Sequence, residues 1–389
     1  MNNKPIPYGR QSISEADIQA VIDVLRSDFL TQGPAIDEFE KVVASYCGAK
    51  FAVAVNSATS ALHLACIAAG LTSGDILWTS PNTFVASANC GLYCGADIDF
   101  VDIDPQTYNI SVIELEKKLI LAQYHGRLPK VVIPVHFSGQ SCEMDRISEL
   151  SKEYGFTLIE DASHAIGGRY KENKIGGCLF SDMTVFSFHP VKIITTGEGG
   201  MVLTNSRGIY EQLIRLRSHG ITRNSNLMIG EPHGPWYYQQ IELGFNYRIT
   251  DIQAALGCSQ MYRLDEFVNN RHQLVERYNE MLQDLPVIIP YQHPDTYSAF
   301  HLYVIRLKLE STNKSHLEVF EQLRANGVMV NLHYIPIHTQ PYYTKIGFKL
   351  GDFPESESYY NEAISLPMYS SLSKIDQDCV IKTLREVLL

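Results

Sequence analysis

The stretch MTVFSFHPVKIITTGEGG, residues 183–200, decides how the rest of the chain reads. Met183 to Phe188 is rich in Val, Phe and Ser and predicts a buried strand. Pro190 turns the chain out of it. Thr195-Thr196-Gly197-Glu198-Gly199-Gly200 is a glycine-rich turn, and Met201-Val202-Leu203-Thr204 reads as a second short strand. Lys192 therefore lies in a loop between two strands, among His, Ser and Thr rather than among carboxylates. Most lysines are solvated surface charges. A lysine whose ammonium is desolvated loses pKa, and a lowered pKa is what Schiff-base chemistry with an aldehyde requires.

Upstream of that stretch, strands and helices alternate. Apolar runs predict strands over 51–55, 76–79, 98–101, 131–136 and 156–160. Helical periodicity predicts helices over 57–69, 83–94, 112–121 and 144–154. This rhythm argues for an α/β fold with a mainly parallel sheet covered by helices. Before it, residues 1–11 read as extended, with Pro5, Pro7 and Arg10. Ser14 and Asp17 form a capping-box pattern ahead of Ile18, Val21, Ile22 and Leu25. Thr31-Gln32-Gly33-Pro34 ends that helix, and another follows over 35–46. After the lysine, the spacing predicts a helix over 209–217 and a loop rich in Asn, Gly and Pro over 222–235. A long helix then runs from 250 into the 280s. It leads to a smaller C-terminal α/β domain with strands near 302–307 and 329–333 and helices near 315–326 and 374–388. The division is expected at 1–260, a large domain with an N-terminal arm, and 261–389.

The chain has 389 residues, long enough for two domains. A formal net charge of −11 argues against a nucleic-acid or membrane-surface binder. It leaves room for a nucleotide ligand, because local arginines can bind a diphosphate. The eight cysteines form no disulfide framework. Cys90 and Cys94 share a helix face, which reads as core packing rather than metal binding, and no metal site is expected. The N-terminus lacks the apolar core of a signal peptide, so a cytoplasmic protein is expected.

Three further places carry chemistry. Asn56-Ser57-Ala58-Thr59-Ser60 joins a strand to a helix, where Ser57 is either a plain N-cap or part of a phosphate site. Asp161 ends an apolar strand, at the edge where parallel sheets bind ligands; a structural Asp capping the next loop is the alternative. Asn331 to His338 crowds polar and aromatic groups onto an apolar strand and turn.

The pattern Ser-Phe-His-x-x-Lys-x-x-Thr-Thr-Gly-Glu-Gly-Gly around Lys192 resembles the lysine segment of the pyridoxal-phosphate sugar aminotransferases, the DegT/DnrJ family. The likeness extends over essentially the whole chain. It implies the type I fold of pyridoxal-phosphate-dependent transferases, and Lys192 as the residue that forms the Schiff base with pyridoxal 5′-phosphate. Pyridoxamine phosphate would be the intermediate form. Ser57, the amides of Ala58 and Thr59, and Ser187 would hold the cofactor phosphate. Asp161 would keep the ring nitrogen protonated, His164 would bond the ring hydroxyl, and Phe84 would stack on the ring. Gly244-Phe245-Asn246-Tyr247-Arg248 resembles the family's Gly-x-Asn-x-Arg. There Asn246 would reach the cofactor phosphate of a neighbouring subunit and Arg248 the substrate, which implies a homodimer with shared sites. Arg10, Thr31, His189, His333 and Tyr334 complete the expected substrate side. Several stretches look most like the branch acting in pseudaminic acid synthesis. The resemblance then implies amination at C4 of a UDP-linked 2-acetamido-2,6-dideoxy-4-ketohexose, with L-glutamate as donor. Two rivals stand beside it: a sugar dehydratase using the same cofactor, a branch in which histidine replaces the lysine, and a non-catalytic scaffold of the same fold.

Overall fold

The computed structural model describes residues 4–389. Its centre is a seven-stranded sheet. Across it lie Phe51–Val55, Gly200–Thr204, Met183–Ser187, Thr157–Asp161, Val131–Ile133, Ile76–Thr79 and Asp97–Phe100, in that spatial order. Gly200–Thr204 runs antiparallel to both its neighbours, and the other pairs are parallel. The strands are apolar on both faces because helices cover both. The two-residue alternation sorts them. Val53 and Val55 join Leu62, Leu64 and Val185 in one core, while Ala52 and Ala54 join Phe39, Val43 and Phe186 in the other.

Local signals place the helices. Ser14 accepts the Asp17 N–H, and Asp17 accepts the Ser14 N–H at 2.8 Å, closing the expected capping box. The helix Pro34–Cys47 starts on Pro34 and stops at Gly48, whose φ of 80° ends the helix without strain. Ser57 caps the helix Ala58–Ala68 by accepting the Ser60 N–H.

A further core lies toward the C-terminus. The antiparallel strands Val287–Ile288, Tyr303–Leu307 and Ala363–Leu366 pack against Leu264–Met281, His316–Ala325 and Lys374–Leu388. Ile6, at the start of the chain, packs there too, because Ile6–Pro7 pairs with Val328–Met329.

The structure departs from the sequence-based expectations at four places. The strand over 131–136 stops at Ile133, since Pro134 has no N–H to donate. The helix expected from 83 begins at Ala86, which leaves Phe84 in a loop. The strand near 329–333 shrinks to Val328–Met329. The long helix from 250 is two helices, Asp251–Met261 and Leu264–Met281. No Gly or Pro marks that break. Tertiary contacts accompany it: Arg263 at the junction pairs with the buried Asp17 and with the Ser12 carbonyl.

Candidate active site

A cavity of ≈ 550 Å³ opens at the carboxyl ends of Thr157–Asp161 and Met183–Ser187. Its floor includes the first turn of the helix Ala58–Ala68, and residues 331–334 form the opposite wall. Strand alternation explains why Asp161 faces this cavity while Glu160 does not. Glu160 is buried on the other side, where it accepts hydrogen bonds from His136 Nε2 (2.6 Å), Thr184 Oγ1 (3.0 Å) and Ser181.

Lys192 reaches the cavity from the loop after Phe188. Burial pushes its ammonium down to about 8, against the opposing pull of the Asp161 carboxylate. Asp161 accepts hydrogen bonds from Ser87 Oγ (2.7 Å) and from the Ser163 N–H (3.1 Å).

His164 lies beside them, buried. Its Nδ1 accepts the Ser138 N–H at 3.2 Å, so the neutral ring carries its hydrogen on Nε2, 3.1 Å from Tyr334 Oη. Burial, then the charge of Lys192, holds His164 well below the usual histidine range. The same two causes bring His333 down to about 3. His333 is held by Ser365 Oγ at 2.8 Å, and the Tyr8 ring packs 5.2 Å from it. Burial also raises the Tyr334 phenol, which therefore stays protonated.

On the floor, the amides of Ala58 and Thr59 open a helix, where the dipole's positive end favours an anion. Gly200 makes this floor possible. A Cβ there would stand 2.4 Å from the Ser57 carbonyl and 2.5 Å from the Ala58 nitrogen, so only glycine lets the strand and the helix start meet.

The expected residues divide into two groups. Ser57, Ala58, Thr59, Phe84, Asp161, His164, Ser187, His189, Lys192, His333 and Tyr334 all line the cavity. Arg10, Thr31, Asn246 and Arg248 do not. Arg248 lies in a separate hollow with Gln32, Gly33 and Arg217. Thr31 bridges Thr250, and Asn246 bridges Ser218 on the exposed side of the chain. Sequence reasoning gave no role to Tyr8, Thr83, Ser87 and His301, and named Asn331 only within the 331–338 stretch. Thr83 and Ser87 stand in the same short segment as Phe84. Nothing local signals their link to Asp161, which is 74 residues from Ser87.

A desolvated amine, a facing carboxylate and a helix N-terminus within one cavity match the demands of pyridoxal phosphate: an aldehyde, a basic ring nitrogen and a phosphate. Fold and site together define a pyridoxal-phosphate-dependent aminotransferase of fold type I. The model of the DegT/DnrJ/EryC1/StrS aminotransferase family matches residues 11–385, and the chain belongs to that family. It is 38% identical over 388 residues to the spore coat polysaccharide biosynthesis protein SpsC of Bacillus subtilis, covering 99% of this chain and 97% of that one. It is 37% identical over 386 residues to the UDP-4-amino-4,6-dideoxy-N-acetyl-beta-L-altrosamine transaminase of Campylobacter jejuni, covering 98% and 97%. Helicobacter pylori PseC, an aminotransferase involved in the biosynthesis of pseudoaminic acid, superimposes with a TM-score of 0.90 at 29% identity, covering 99% of both chains. Among the described residues, no helix is long and apolar enough to cross a membrane.

Proposed function

We propose that this aminotransferase moves the amino group of L-glutamate to C4 of a UDP-linked 2-acetamido-2,6-dideoxy-4-ketohexose. The observation that carries the reaction class is the Lys192 amine, brought down to about 8 in a cavity it shares with Asp161. The sugar rests on likeness to the Campylobacter and Helicobacter proteins. The equally similar SpsC, named for spore coat polysaccharide, favours a second reading, a different nucleotide-linked ketosugar.

Pyridoxal phosphate, when bound, supplies the aldehyde that carries the amino group and a ring that delocalises the electron pair left by the donor's α-carbon. The chain's residues do the rest. Ser57, the Ala58 and Thr59 amides and Ser187 hold the phosphate. Asp161 holds a proton on the ring nitrogen. His164, with its hydrogen on Nε2, would turn that donor from Tyr334 Oη to the ring hydroxyl. Phe84 covers one ring face. Lys192 Nζ would take the α-proton of glutamate as a base and hold it for return as an acid. With the ketosugar the same groups act in reverse order. His189, His333 and Tyr334 present polar groups on the substrate side. Presence of Lys192 argues against the dehydratase branch.

The assembly in this reading is a homodimer. Arg10, Thr31, Asn246 and Arg248 would serve the cavity of a second copy. Exposed apolar residues support this: Phe29 and Leu30, next to Thr31 in the chain, and Ile18 and Leu25 of the helix before it are about half uncovered, apolar surface a partner would bury. The division at residue 260 and a cytoplasmic location complete the proposal.

The test is the visible spectrum of the holoenzyme with L-glutamate and then with the UDP-4-ketosugar. Loss of the band with glutamate and its return with the sugar are expected. A response to glutamate without a return leaves the reaction class and removes this sugar. Absence of any lysine-bound band removes the role of Lys192.

A further inference from the structure

Asp161 does not stand free in the cavity wall. Ser87 Oγ lies 2.7 Å from Asp161 Oδ2, and Thr83 Oγ1 lies 2.8 Å from Ser87 Oγ. All three side chains are buried, Thr83 at 3%, Ser87 at 1% and Asp161 at 4% exposure. A carboxylate only accepts, so the single hydroxyl hydrogen of Ser87 is committed to Asp161. Thr83 must then be the donor to Ser87. The chain of hydrogen bonds runs one way, Thr83 to Ser87 to Asp161, and ends on the Asp161 carboxylate. The Ser163 N–H occupies Oδ1 from the other side at 3.1 Å. Together these donors fix the rotation of the carboxylate and leave its remaining lone pairs toward the cavity.

We infer that Ser87, supported by Thr83, is a positioning residue for Asp161: it aims the carboxylate at the ring nitrogen and keeps it an acceptor, so that the proton rests on the ring. The inference rests on the proposed contact of Asp161 with that nitrogen. Ser87 itself touches no reacting atom. The backbone makes the arrangement economical. Ser87 is the second residue of the helix Ala86–Tyr93, three residues beyond Phe84, so one short segment sets both the ring's stacking partner and the direction of its carboxylate.

Without the Ser87 hydroxyl the carboxylate loses one of the two donors that anchor it and can rotate away from the ring nitrogen. Hydrogen bonds to charged groups translate into a loss of about 10- to 100-fold in the glutamate half-reaction. This should fall on kcat, with little change in KM for glutamate, because the ring's electron demand rises in the reaction and not on binding.

The experiment uses Ser87→Ala, Thr83→Val, Thr83→Ser and Asp161→Asn holoenzymes, reconstituted with pyridoxal phosphate labelled with 15N in the ring. Two readouts are taken: the ring-nitrogen shift and half-reaction kinetics. In Ser87→Ala the labelled nitrogen is expected to move toward its unprotonated position, with the fall in kcat. Thr83→Val should give the same changes at smaller size, and Thr83→Ser, which keeps the hydroxyl, should restore both. Wild-type shift and kcat in Ser87→Ala, with Asp161→Asn strongly impaired, would overturn the role of Ser87 alone. Wild-type behaviour in Asp161→Asn as well would remove the contact on which the inference stands. Equal losses in Thr83→Val and Thr83→Ser would show that side-chain packing, not the hydroxyl chain, matters there, and would also overturn it.

Discussion

The cavity wall and the exposed strip around Arg248 are built from residues of the same expected site, yet they obey different physics. On the wall, Lys192, Asp161, His164 and His333 converge in a desolvated space, and burial shifts three of them: the amine falls to about 8, His333 to about 3, and His164 moves in the same direction. On the strip, Thr31, Asn246 and Arg248 lie outside that cavity, held by backbone bridges to Thr250, Ser218 and Val55. The wall brings its groups together within one chain. The strip has a fixed backbone, and its Arg248 lines a separate hollow rather than the cavity of Lys192. The difference teaches that completeness of an active site and completeness of a fold are separate properties.

Removing the amine breaks the wall most severely. Lys192→Ala should lose on the order of 10⁴-fold or more in the glutamate half-reaction, since general acid–base transfer alone is worth ~10²–10⁴. Rapid-mixing spectroscopy on the reconstituted variant reads this directly. Near wild-type kinetics would take the lysine out of the chemistry.

The strip is best challenged by mixing defects. Arg248→Ala should lower kcat/KM for the nucleotide sugar by about 10²-fold, the cost of removing a guanidinium from a diphosphate. Co-expressed with Lys192→Ala, it separates two geometries. If Arg248 serves the partner's cavity, each mixed dimer retains one intact site, and a random mixture regains about a quarter of wild-type activity. If Arg248 serves its own cavity, no site is intact and the mixture stays inactive.

Much of the wall was legible because its chemistry is written in local patterns. The strand, the turn and Lys192 are contiguous, and Asp161 ends an apolar run at the ligand-binding edge of a parallel sheet. Ser57 marks a helix start by its own capping geometry. Tyr8, Ser87 and His301 were not legible. Tyr8 reaches the cavity only because Ile6–Pro7 pairs with Val328–Met329 more than 300 residues away. The Ser87–Asp161 bond likewise depends on tertiary placement. The helix break at Tyr262–Arg263 was hidden for a related reason: a buried partner, Asp17, accompanies it without any helix-breaking residue. The capping box placed the first helix correctly, although its apolar side chains Ile18 and Leu25 stay about half exposed.

The pH dependence sharpens the electrostatic half of the comparison. A free amine is needed to capture an aldehyde, and Lys192 becomes neutral as pH rises through about 8 rather than near 10.5. Capture of pyridoxal phosphate by the apoprotein should therefore rise with pH to a midpoint near 8. Asp161→Asn removes the carboxylate that opposes this shift, so its midpoint should move lower. A midpoint near 10 in the wild type would mean that the amine is solvated, and the wall would lose its distinction from the surface.

The smallest expected effect concerns acid stability. His333 falls to about 3 in the folded chain, by burial first and then by the charge of Lys192, against about 6.5 when unfolded. A depressed folded value means that the unfolded chain binds the proton first as pH drops. The stabilisation from a neutral His333 is thus complete above about pH 6.5 and is lost progressively as pH falls from there toward 3. Near pH 5 the loss is about 2 kcal/mol. Urea midpoints of the apoprotein at pH 6.5 and pH 5 should show this acid slope, and His333→Gln, which cannot take up the proton, should reduce it, the rest of the slope staying with the buried His164 and His301. Thr31→Ala on the strip should keep the wild-type slope. If His333→Gln and wild type lose stability in parallel, acid sensitivity resides elsewhere. The buried wall would then differ from the exposed strip in its nucleophile but not in its histidine.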